Sequence, residues 1–251
     1  MKRTRKIKVK KLVHLSLNML RITFTSKDLS DFPEKEEGGY IKFLFANKDE
    51  KRSEKLVRPY TIRNFRKRNL ELDIDFAKHK SQSGYASKWA FNAKIGDEIL
   101  ISGPSSKQSI NTNASWFFFV GDMSALPAIS SYLEILPKNS KGYAVLEILS
   151  NSDKLKLKKP KNINIIWVIN DQTFGSLDKL YNEIKNIDWY KGNPYVWVAC
   201  EFKVMKNLRK YFQIEKKINK KDMYISSYWK DGIDQESHKI IKKKDAIEWA
   251  G

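Results

Sequence analysis

The chain has 251 residues, enough for two domains of ordinary size that each bury a core. Its net charge of +19 would attract nucleic acid, an anionic membrane surface or an anionic small molecule, although a general preference for lysine over arginine explains it equally well. The single cysteine, Cys200, excludes an intrachain disulfide and any multi-cysteine metal site. The three histidines form no ligand motif. We therefore predict a cytoplasmic protein without a structural metal.

The basic start of the chain raises the question of a signal peptide. Residues 12–20 are moderately apolar, but His14, Ser16 and Asn18 interrupt them at alternate positions, which is the period of a half-buried strand. No later stretch approaches the roughly 18 apolar residues of a membrane span, and no nucleic-acid-binding motif is present. We expect no signal peptide, no membrane insertion and no nucleic-acid partner.

The first half of the sequence consists of short segments that favour β-structure, separated by polar turns. They are rich in β-branched and aromatic residues and several alternate in polarity. The segments are residues 9–24, 40–46, 58–65, 70–79 and 98–102. Residues 84–93 differ, because their apolar residues recur at helical spacing. The pattern predicts an antiparallel β-barrel domain over residues 1–112 with one short helix, followed by a linker over residues 103–113.

The second half alternates continuous apolar strands with amphipathic helices, which is typical of a parallel sheet covered on both faces. The predicted strands are residues 116–120, 143–149, 163–169, 195–199 and 223–228. Residues 113–251 are therefore predicted to form an α/β domain of the nucleotide-binding type. A final amphipathic helix over residues 237–251 either folds back towards a cofactor or covers the edge of the sheet.

The strand segment Arg58-Pro59-Tyr60-Thr61 is the first candidate site. Its guanidinium, phenol and hydroxyl are groups that could hold the pyrophosphate, ribityl chain and ring edge of a flavin. An ordinary amphipathic strand with a surface arginine and a core tyrosine is the alternative.

A second candidate site lies at the start of the short helix. Gly84, Ala86 and Ser87 are small residues that let backbone N–H groups approach a phosphate at a helix N-terminus, just before Trp89. This signal is weak by itself. His79 ends the preceding strand and is either a site residue or a histidine capped by water.

A third candidate is the turn that follows the strand over residues 116–120. It contains Asp122, Ser124 and Ala125, and Pro127 lies at the start of the next helix, where its missing N–H costs nothing. Ligands of parallel sheets bind beyond the carboxyl ends of the strands, where this turn would lie. The spacing is not that of a GxGxxG fingerprint.

Taken in order, these motifs resemble the siderophore-interacting protein family, a branch of the ferredoxin–NADP reductase-like flavoproteins. The resemblance covers most of the chain. It is carried by the arginine-any-tyrosine-threonine strand, the strand end at residues 75–79, the helix start at residues 84–90, Gly103-Pro104, the turn at residues 121–129, the acidic strand end at Glu201 and the motif Tyr228-Trp229-Lys230-Asp231-Gly232.

The resemblance implies a monomeric FAD-dependent ferric-siderophore reductase. Its electron donor would be NADH, NADPH or reduced ferredoxin, its substrate an anionic ferric siderophore, and its chemistry would be carried by the flavin rather than by a catalytic side chain. The implied flavin-binding residues are Arg58, Pro59, Tyr60, Thr61, Asp75, His79, Gly84, Ala86, Ser87, Trp89, Asp122, Ser124 and Ala125. Pro127 and Glu201 would contact the donor, and Lys55 and Lys230 the substrate, although a solvated surface charge is the alternative for each lysine.

The chain departs from the family pattern in its second half. Met123 and Ser124 replace an acidic residue and a threonine of the family turn, and Cys200 replaces a glycine. These departures lie in the predicted nucleotide-binding domain, so they concern the choice of electron donor and leave the flavin assignment unaffected. A flavin or ferredoxin-type reductase with another acceptor is the nearest alternative function, and a non-enzymatic protein that binds anions or nucleic acid is the alternative from another class.

Overall fold

The structure is a computed structural model that describes residues 3–46, 56–78, 85–105, 109–171 and 179–250. The chain divides into two compact units. The first comprises Met1–Ser109, Pro127–Ile135 and Leu155–Leu157. The second comprises Ile110–Leu126, Leu136–Lys154 and Lys158–Gly251.

Seven antiparallel strands form the sheet of the first unit. They are β1 (Thr4–Ser16), β2 (Met19–Thr25), β3 (Tyr40–Phe45), β4 (Leu56–Thr61), β5 (Asn64–Arg66), β6 (Glu71–Ala77) and β7 (Glu98–Ser105). Their order in the sheet is β4-β3-β7-β1-β2-β6-β5. The two terminal strands, β4 and β5, are separated by only two residues, and the backbone N–H of Arg63 between them donates to the carbonyl of Asp73, at 3.0 Å. One stretch of chain thus pairs first with β3 and then with β6, so the sheet curves round into a partly open form of the predicted barrel, in which β4 is paired on one side only.

The hairpin of β1 and β2 corrects the predicted single strand over residues 9–24. The two strands pair antiparallel, with Ser16 opposite Met19. Leu17 and Asn18 make the turn, and Leu17 is 67% exposed. No glycine or proline marks this turn, so the alternation of polarity continued across it and concealed the reversal of the chain. A second correction concerns residues 103–105, predicted as linker, which extend β7 instead.

The core of the barrel is rich in aromatic rings. A short helix, α1 (Tyr85–Asn92), packs against it through Trp89, whose ring centroid lies 6.2 Å from that of Phe43. We call these rings the barrel aromatic cluster; its members are Phe24, Phe43, Phe45, Tyr60, Phe76, Tyr85 and Trp89. Burial of such rings supplies much of the apolar area that stabilises a small barrel.

The second unit contains a parallel five-stranded sheet, as predicted. Its strands are β8 (Trp116–Gly121), β9 (Lys141–Ile148), β10 (Asn162–Ile169), β11 (Pro194–Glu201) and β12 (Met223–Trp229). They lie in the order β10-β9-β8-β11-β12. All residues of the central strands β8 and β11 are buried, as expected for strands covered on both faces. The chain reverses its direction of winding at β8, so the carboxyl ends of β8 and β11 form the edge where ligands of such sheets bind.

Among the described residues of this half of the chain, four α-helices follow strands: α2 (Leu126–Ile135), α3 (Lys179–Lys185), α4 (Phe202–Lys210) and α5 (Gln235–Ala250). The predicted C-terminal helix is α5, and it packs against β12, the last strand of the sheet, and against α4. Arg209 of α4 pairs with Asp245 of α5 at 2.7 and 2.9 Å. No helix in the described ranges is long and apolar enough to cross a membrane.

Candidate functional site

The Arg58–Thr61 segment lies on β4, a terminal strand of the hydrogen-bonded order of the first sheet. Pro59 is tolerated there because an edge strand does not need every N–H for pairing. Arg58 is half-buried and donates through Nη1 to the carbonyl of Val57, at 2.9 Å. Thr61 is buried. The strand therefore holds a guanidinium and a hydroxyl on a scaffold that is paired on one side.

Tyr60 faces the barrel core. Its ring centroid lies 4.5 Å from that of Phe76 and 5.6 Å from that of Phe43. Burial raises the pKa of the Tyr60 phenol well above its usual value, against the opposing effect of the Arg58 charge. The phenol therefore stays neutral and can serve as a hydrogen-bond donor or as a flat apolar surface.

The start of α1 contacts the same rings. Ser87 is buried and its Oγ donates to the carbonyl of Ala77 at the end of β6, at 2.9 Å. Ala86 is also buried, and Trp89 packs on Phe43 and Phe76. The barrel aromatic cluster thus brings β4 and α1 together, although they are far apart in sequence.

Asp75, predicted from the resemblance to bind the flavin, has an ion-pair partner that the sequence did not reveal. Its two carboxylate oxygens accept from Nε and Nη2 of Arg21, at 2.6 and 2.8 Å, across the β2–β6 pair. This hydrogen bonding raises the pKa of the Arg21 guanidinium. Three further predicted site residues, Lys55, His79 and Gly84, lie outside the described residues.

At the carboxyl edge of the second sheet, Asp122 organises the turn after β8. Its Oδ1 accepts from the backbone N–H and the hydroxyl of Ser124, at 2.9 and 2.5 Å. Its Oδ2 accepts from Nε1 of Trp229 at the end of β12, at 2.7 Å. Asp122 is 7% exposed. The sequence placed Asp122 and Ser124 in one turn, but only the fold joins them to Trp229.

Glu201 ends β11 and caps α4. Its Oε2 accepts from the backbone N–H groups of Lys203, at 2.5 Å, and Val204, at 3.2 Å. Its Oε1 accepts from the backbone N–H of Asp231, at 3.3 Å. An N-terminal carboxylate stabilises a helix by satisfying donors that have no partner within it. Glu201 therefore connects the start of α4 to the segment after β12.

Glu147 near the end of β9 is a buried carboxyl group that the sequence analysis did not single out. Its Oε2 is buried without a hydrogen-bond partner among the described residues. Burial, with the negative charge of Asp122, raises the pKa of Glu147 to about 7, against the effect of a hydrogen bond with Asn170. A single carboxylate near the end of an otherwise apolar strand was the available signal. This edge therefore carries a buried carboxyl group whose pKa lies close to neutral pH.

The residues at the start of α2 have structural contacts. Ala125 is buried, and its backbone N–H donates to the carbonyl of Asp122, at 3.0 Å. Pro127 lies in the first turn of α2, as predicted, and its carbonyl accepts from the hydroxyl of Ser131, at 3.1 Å.

Lys230, the predicted substrate-binding lysine, follows β12 directly and is half-buried. Its Nζ lies 5.6 Å from the ring centroid of Phe202, within range of a cation–π interaction. Within the described ranges, no group of three or more histidine, cysteine, aspartate or glutamate residues is arranged to hold a metal ion.

Comparison with known families matches each half of the chain. Residues 8–108 match the siderophore-interacting FAD-binding domain, and residues 114–232 match the siderophore-interacting protein domain. The chain belongs to the siderophore-interacting protein family. This confirms the family and the two-part fold predicted from the sequence.

Individual relatives agree with this membership. The ferric vibriobactin reductase ViuB of Vibrio cholerae is 31% identical over 242 residues, which cover 90% of this chain and 89% of ViuB. The siderophore-interacting protein SipS from Aeromonas hydrophila has a crystal structure with a TM-score of 0.86 at 28% identity, covering 98% and 99% of the two chains. A ferredoxin-NADP+ reductase from Plasmodium falciparum shares the fold, with a TM-score of 0.63 at 17% identity. The matched region covers 90% of this chain and 96% of the reductase chain.

The first unit of this siderophore-interacting protein suits FAD. Arg58 supplies a guanidinium on an edge strand, Tyr60 supplies a neutral phenol, and the start of α1 supplies small residues beside the same aromatic cluster. These groups match the pyrophosphate and the flat ring system of the cofactor.

Proposed function

We propose that the chain is an FAD-dependent ferric-siderophore reductase that acts in the cytoplasm as a monomer. The observation that carries this proposal is the meeting of β4 and α1 on the barrel aromatic cluster, which assembles one flavin site from two separate motifs. ViuB, of similar length and 31% identical, supports the choice of acceptor because it is named a ferric vibriobactin reductase.

The protein's role on the flavin side is to bind and orient. FAD, when bound, would accept two electrons from a nicotinamide donor or one at a time from a ferredoxin, and deliver them singly, which a one-electron acceptor such as Fe³⁺ requires. Arg58 would pair with the pyrophosphate, while Tyr60, Thr61 and Trp89 would border the ribityl chain and ring, on a strand and helix rather than on loops. The scaffold keeps this geometry from one turnover to the next.

On the donor side, we propose that NADH, NADPH or reduced ferredoxin is received at the carboxyl edge of the second sheet. Asp122 and Glu201 shape this edge by holding the turn after β8 and the start of α4. Glu147 places a further carboxyl group there.

The substrate would be an anionic ferric chelate. Reduction transfers one electron to Fe³⁺, and the Fe²⁺ product is held far less well by hard oxygen chelators. Lys230 offers a half-buried ammonium near the end of β12, and Lys55 is the second lysine proposed for this role. The charge of +19 adds a long-range attraction for such anions.

The test begins with the purified protein. A yellow solution with an FAD spectrum is expected, and reduction of a ferric catecholate is followed with a chelator that forms a coloured complex with Fe²⁺. NADH, NADPH and reduced ferredoxin are supplied in parallel reactions, and donor without protein is the control.

Ferrous-complex formation that depends on the protein and on one of these donors supports a reductase. A colourless chain that does not take up added FAD would contradict the flavin assignment. A yellow protein that binds the ferric chelate but releases no Fe²⁺ with any of the three donors would be a carrier and would overturn the proposed activity.

A further inference from the structure

The Lys230 ammonium is held in place by its surroundings. Both neighbours of Lys230 are anchored: the indole Nε1 of Trp229 donates to Asp122 at 2.7 Å, and the backbone N–H of Asp231 donates to Glu201 at 3.3 Å. These bonds connect the ends of three strands, since Asp122 follows β8, Glu201 ends β11 and Trp229 ends β12. A lysine between two anchored residues has less freedom to lose when it binds an anion.

The side chain of Lys230 lies over an aromatic platform, the ring of Phe202. Its Nζ is 5.6 Å from the ring centroid, and Nζ of Lys206 on α4 lies 5.8 Å from the same centroid. Phe202 is only 6% exposed and directly follows Glu201, the residue that anchors Asp231. The same turn of chain thus fixes the backbone after Lys230 and offers an aromatic face to its ammonium.

Helix α5 also contacts the Phe202 ring. The His238 ring meets the ring of Phe202 edge to face, with centroids 6.2 Å apart and an interplanar angle of 84°. His238 is 2% exposed, and its Nε2 lies 2.8 Å from the hydroxyl of Ser227 on β12. Lys242, one turn further along α5, donates to the hydroxyl of Ser226, at 2.5 Å, and to the carbonyl of Ser227, at 3.0 Å. The C-terminal helix is therefore bonded to the strand that carries Lys230 and packs against the ring beneath it.

We propose that Phe202 and His238 are positioning residues for Lys230: the Phe202 ring holds the lysine ammonium, and His238 fixes the ring from α5. This rests on the proposed function of Lys230 as the ligand of an anionic ferric chelate. A cation on an aromatic face keeps its full charge and only part of its hydration shell, so less water has to be removed when an anion binds. The C-terminal helix thereby contributes to substrate binding without touching the substrate.

The test compares F202L with F202Y in the FAD-loaded protein. Leucine preserves apolar bulk but removes the aromatic face, whereas tyrosine preserves the face. The dissociation constant of a ferric tris-catecholate is measured by fluorescence quenching of the oxidised protein, which needs no turnover. We expect F202L to weaken binding about three- to tenfold, the scale of one cation–π contact, and F202Y to remain within about twofold of the wild type. In F202L the KM for the ferric chelate should rise by the same factor, while kcat should stay unchanged.

K230A and the double variant F202L/K230A separate this proposal from the proposed function. If Phe202 acts through Lys230, F202L has no further effect on binding in the K230A background. Equal dissociation constants for F202L, F202Y and wild type, with weaker binding in K230A, would overturn the positioning role alone. Unchanged binding in K230A would instead contradict the role of Lys230 as a substrate ligand. The exposed Lys239 on α5 provides the matched control, K239A.

Variants that lose structure are identified before binding is measured. The thermal unfolding midpoint and the FAD content of F202L are compared with those of the wild type. If F202L is unstable, H238F tests the same contact: it keeps a ring against Phe202 but loses the bond to Ser227. Tighter or unchanged chelate binding in a folded H238A protein would contradict the part assigned to His238, and weaker binding in H238A that H238F restores would support it.

Discussion

The two units hold their candidate residues by different forces. In the first unit, Tyr60 and Trp89 are positioned by contacts among aromatic rings. In the second, Asp122 and Glu201 are positioned by hydrogen bonds from Trp229 and from the backbone of Asp231. Ring packing tolerates a substitution of similar volume, whereas a buried carboxylate leaves its donors without partners when it is removed. The first unit should therefore tolerate conservative changes in its core but be sensitive at Arg58, whereas the second unit should be sensitive throughout its hydrogen-bond network.

The largest effect is expected for R58A. Loss of a charge-assisted pair with the pyrophosphate should weaken FAD binding by about 10- to 100-fold, because such bonds contribute about 1.5–3 kcal/mol. Titration of the apoprotein with FAD, followed by flavin fluorescence, measures this. R68A, at an exposed arginine of the same unit, is the control. If R58A and R68A bind FAD with equal affinity, Arg58 does not contact the flavin.

D122A tests the hydrogen-bond network of the second unit. Removing the carboxylate leaves Nε1 of Trp229 and the N–H of Ser124 without their acceptor, at a cost of about 2–3 kcal/mol in the free energy of unfolding. Urea unfolding measures this cost. In the W229F background the cost of D122A should be smaller, because one of the three donors to Asp122 is already absent. If the effects of D122A and W229F on the free energy of unfolding are additive, the hydrogen bond between Asp122 and Trp229 contributes nothing to stability.

Stability should also fall in mild acid because of His238. Burial, with the charges of Lys242 and Lys230, lowers the pKa of His238 from 6.5 to about 4. The neutral ring is favoured in the folded state, so this stabilisation is complete above about pH 6.5 and is lost as the pH falls towards 4. Each pH unit in this window costs up to ~1.4 kcal/mol in the free energy of unfolding. In H238Q the profile should be flatter between pH 6.5 and 4, and an unchanged slope would assign the acid sensitivity to other groups.

The smallest effect is expected for S87A on the flavin side. Its hydroxyl fixes the start of α1 to the carbonyl of Ala77, and loss of one such bond costs about 1 kcal/mol in the free energy of unfolding. Because the helix start would be less well positioned, we also expect FAD to bind a few times more weakly. K88A, at an exposed neighbour on the same helix, should alter neither quantity. A loss of stability without any change in FAD affinity would separate Ser87 from the flavin site.

The sequence was informative where a site is made of consecutive residues. Arg58, Tyr60 and Thr61 lie on one predicted strand, and Asp122, Ser124 and Pro127 lie in one turn and the helix that follows, so local patterns located them. The family and the fold inferred from these motifs are confirmed. The hairpin at Leu17 and Asn18 was missed because its turn contains neither glycine nor proline.

Contacts between distant residues could not be predicted in this way. The Arg21–Asp75 pair depends on the register between β2 and β6, and the role of Glu201 as a cap depends on where α4 begins. Glu147 looked like one polar residue in an apolar strand, and its raised pKa arises from burial and from Asp122 in the turn after the neighbouring strand. Each of these properties depends on the distance between residues that are remote in sequence.

The sequence by itself determined the order of a barrel and an α/β domain, because periodicity and turn residues act over a few neighbouring positions. It also determined the family, and it placed Arg58, Tyr60 and Thr61 together on one strand. Three contacts were decided by the tertiary structure alone. β4 and α1 share one aromatic cluster, and Trp229 donates a hydrogen bond to Asp122. His238 of the last helix contacts the Phe202 ring, over which the Lys230 ammonium lies. The physical reason is that short-range contacts and hydrogen bonds act between neighbours in space, and only folding makes these residues neighbours.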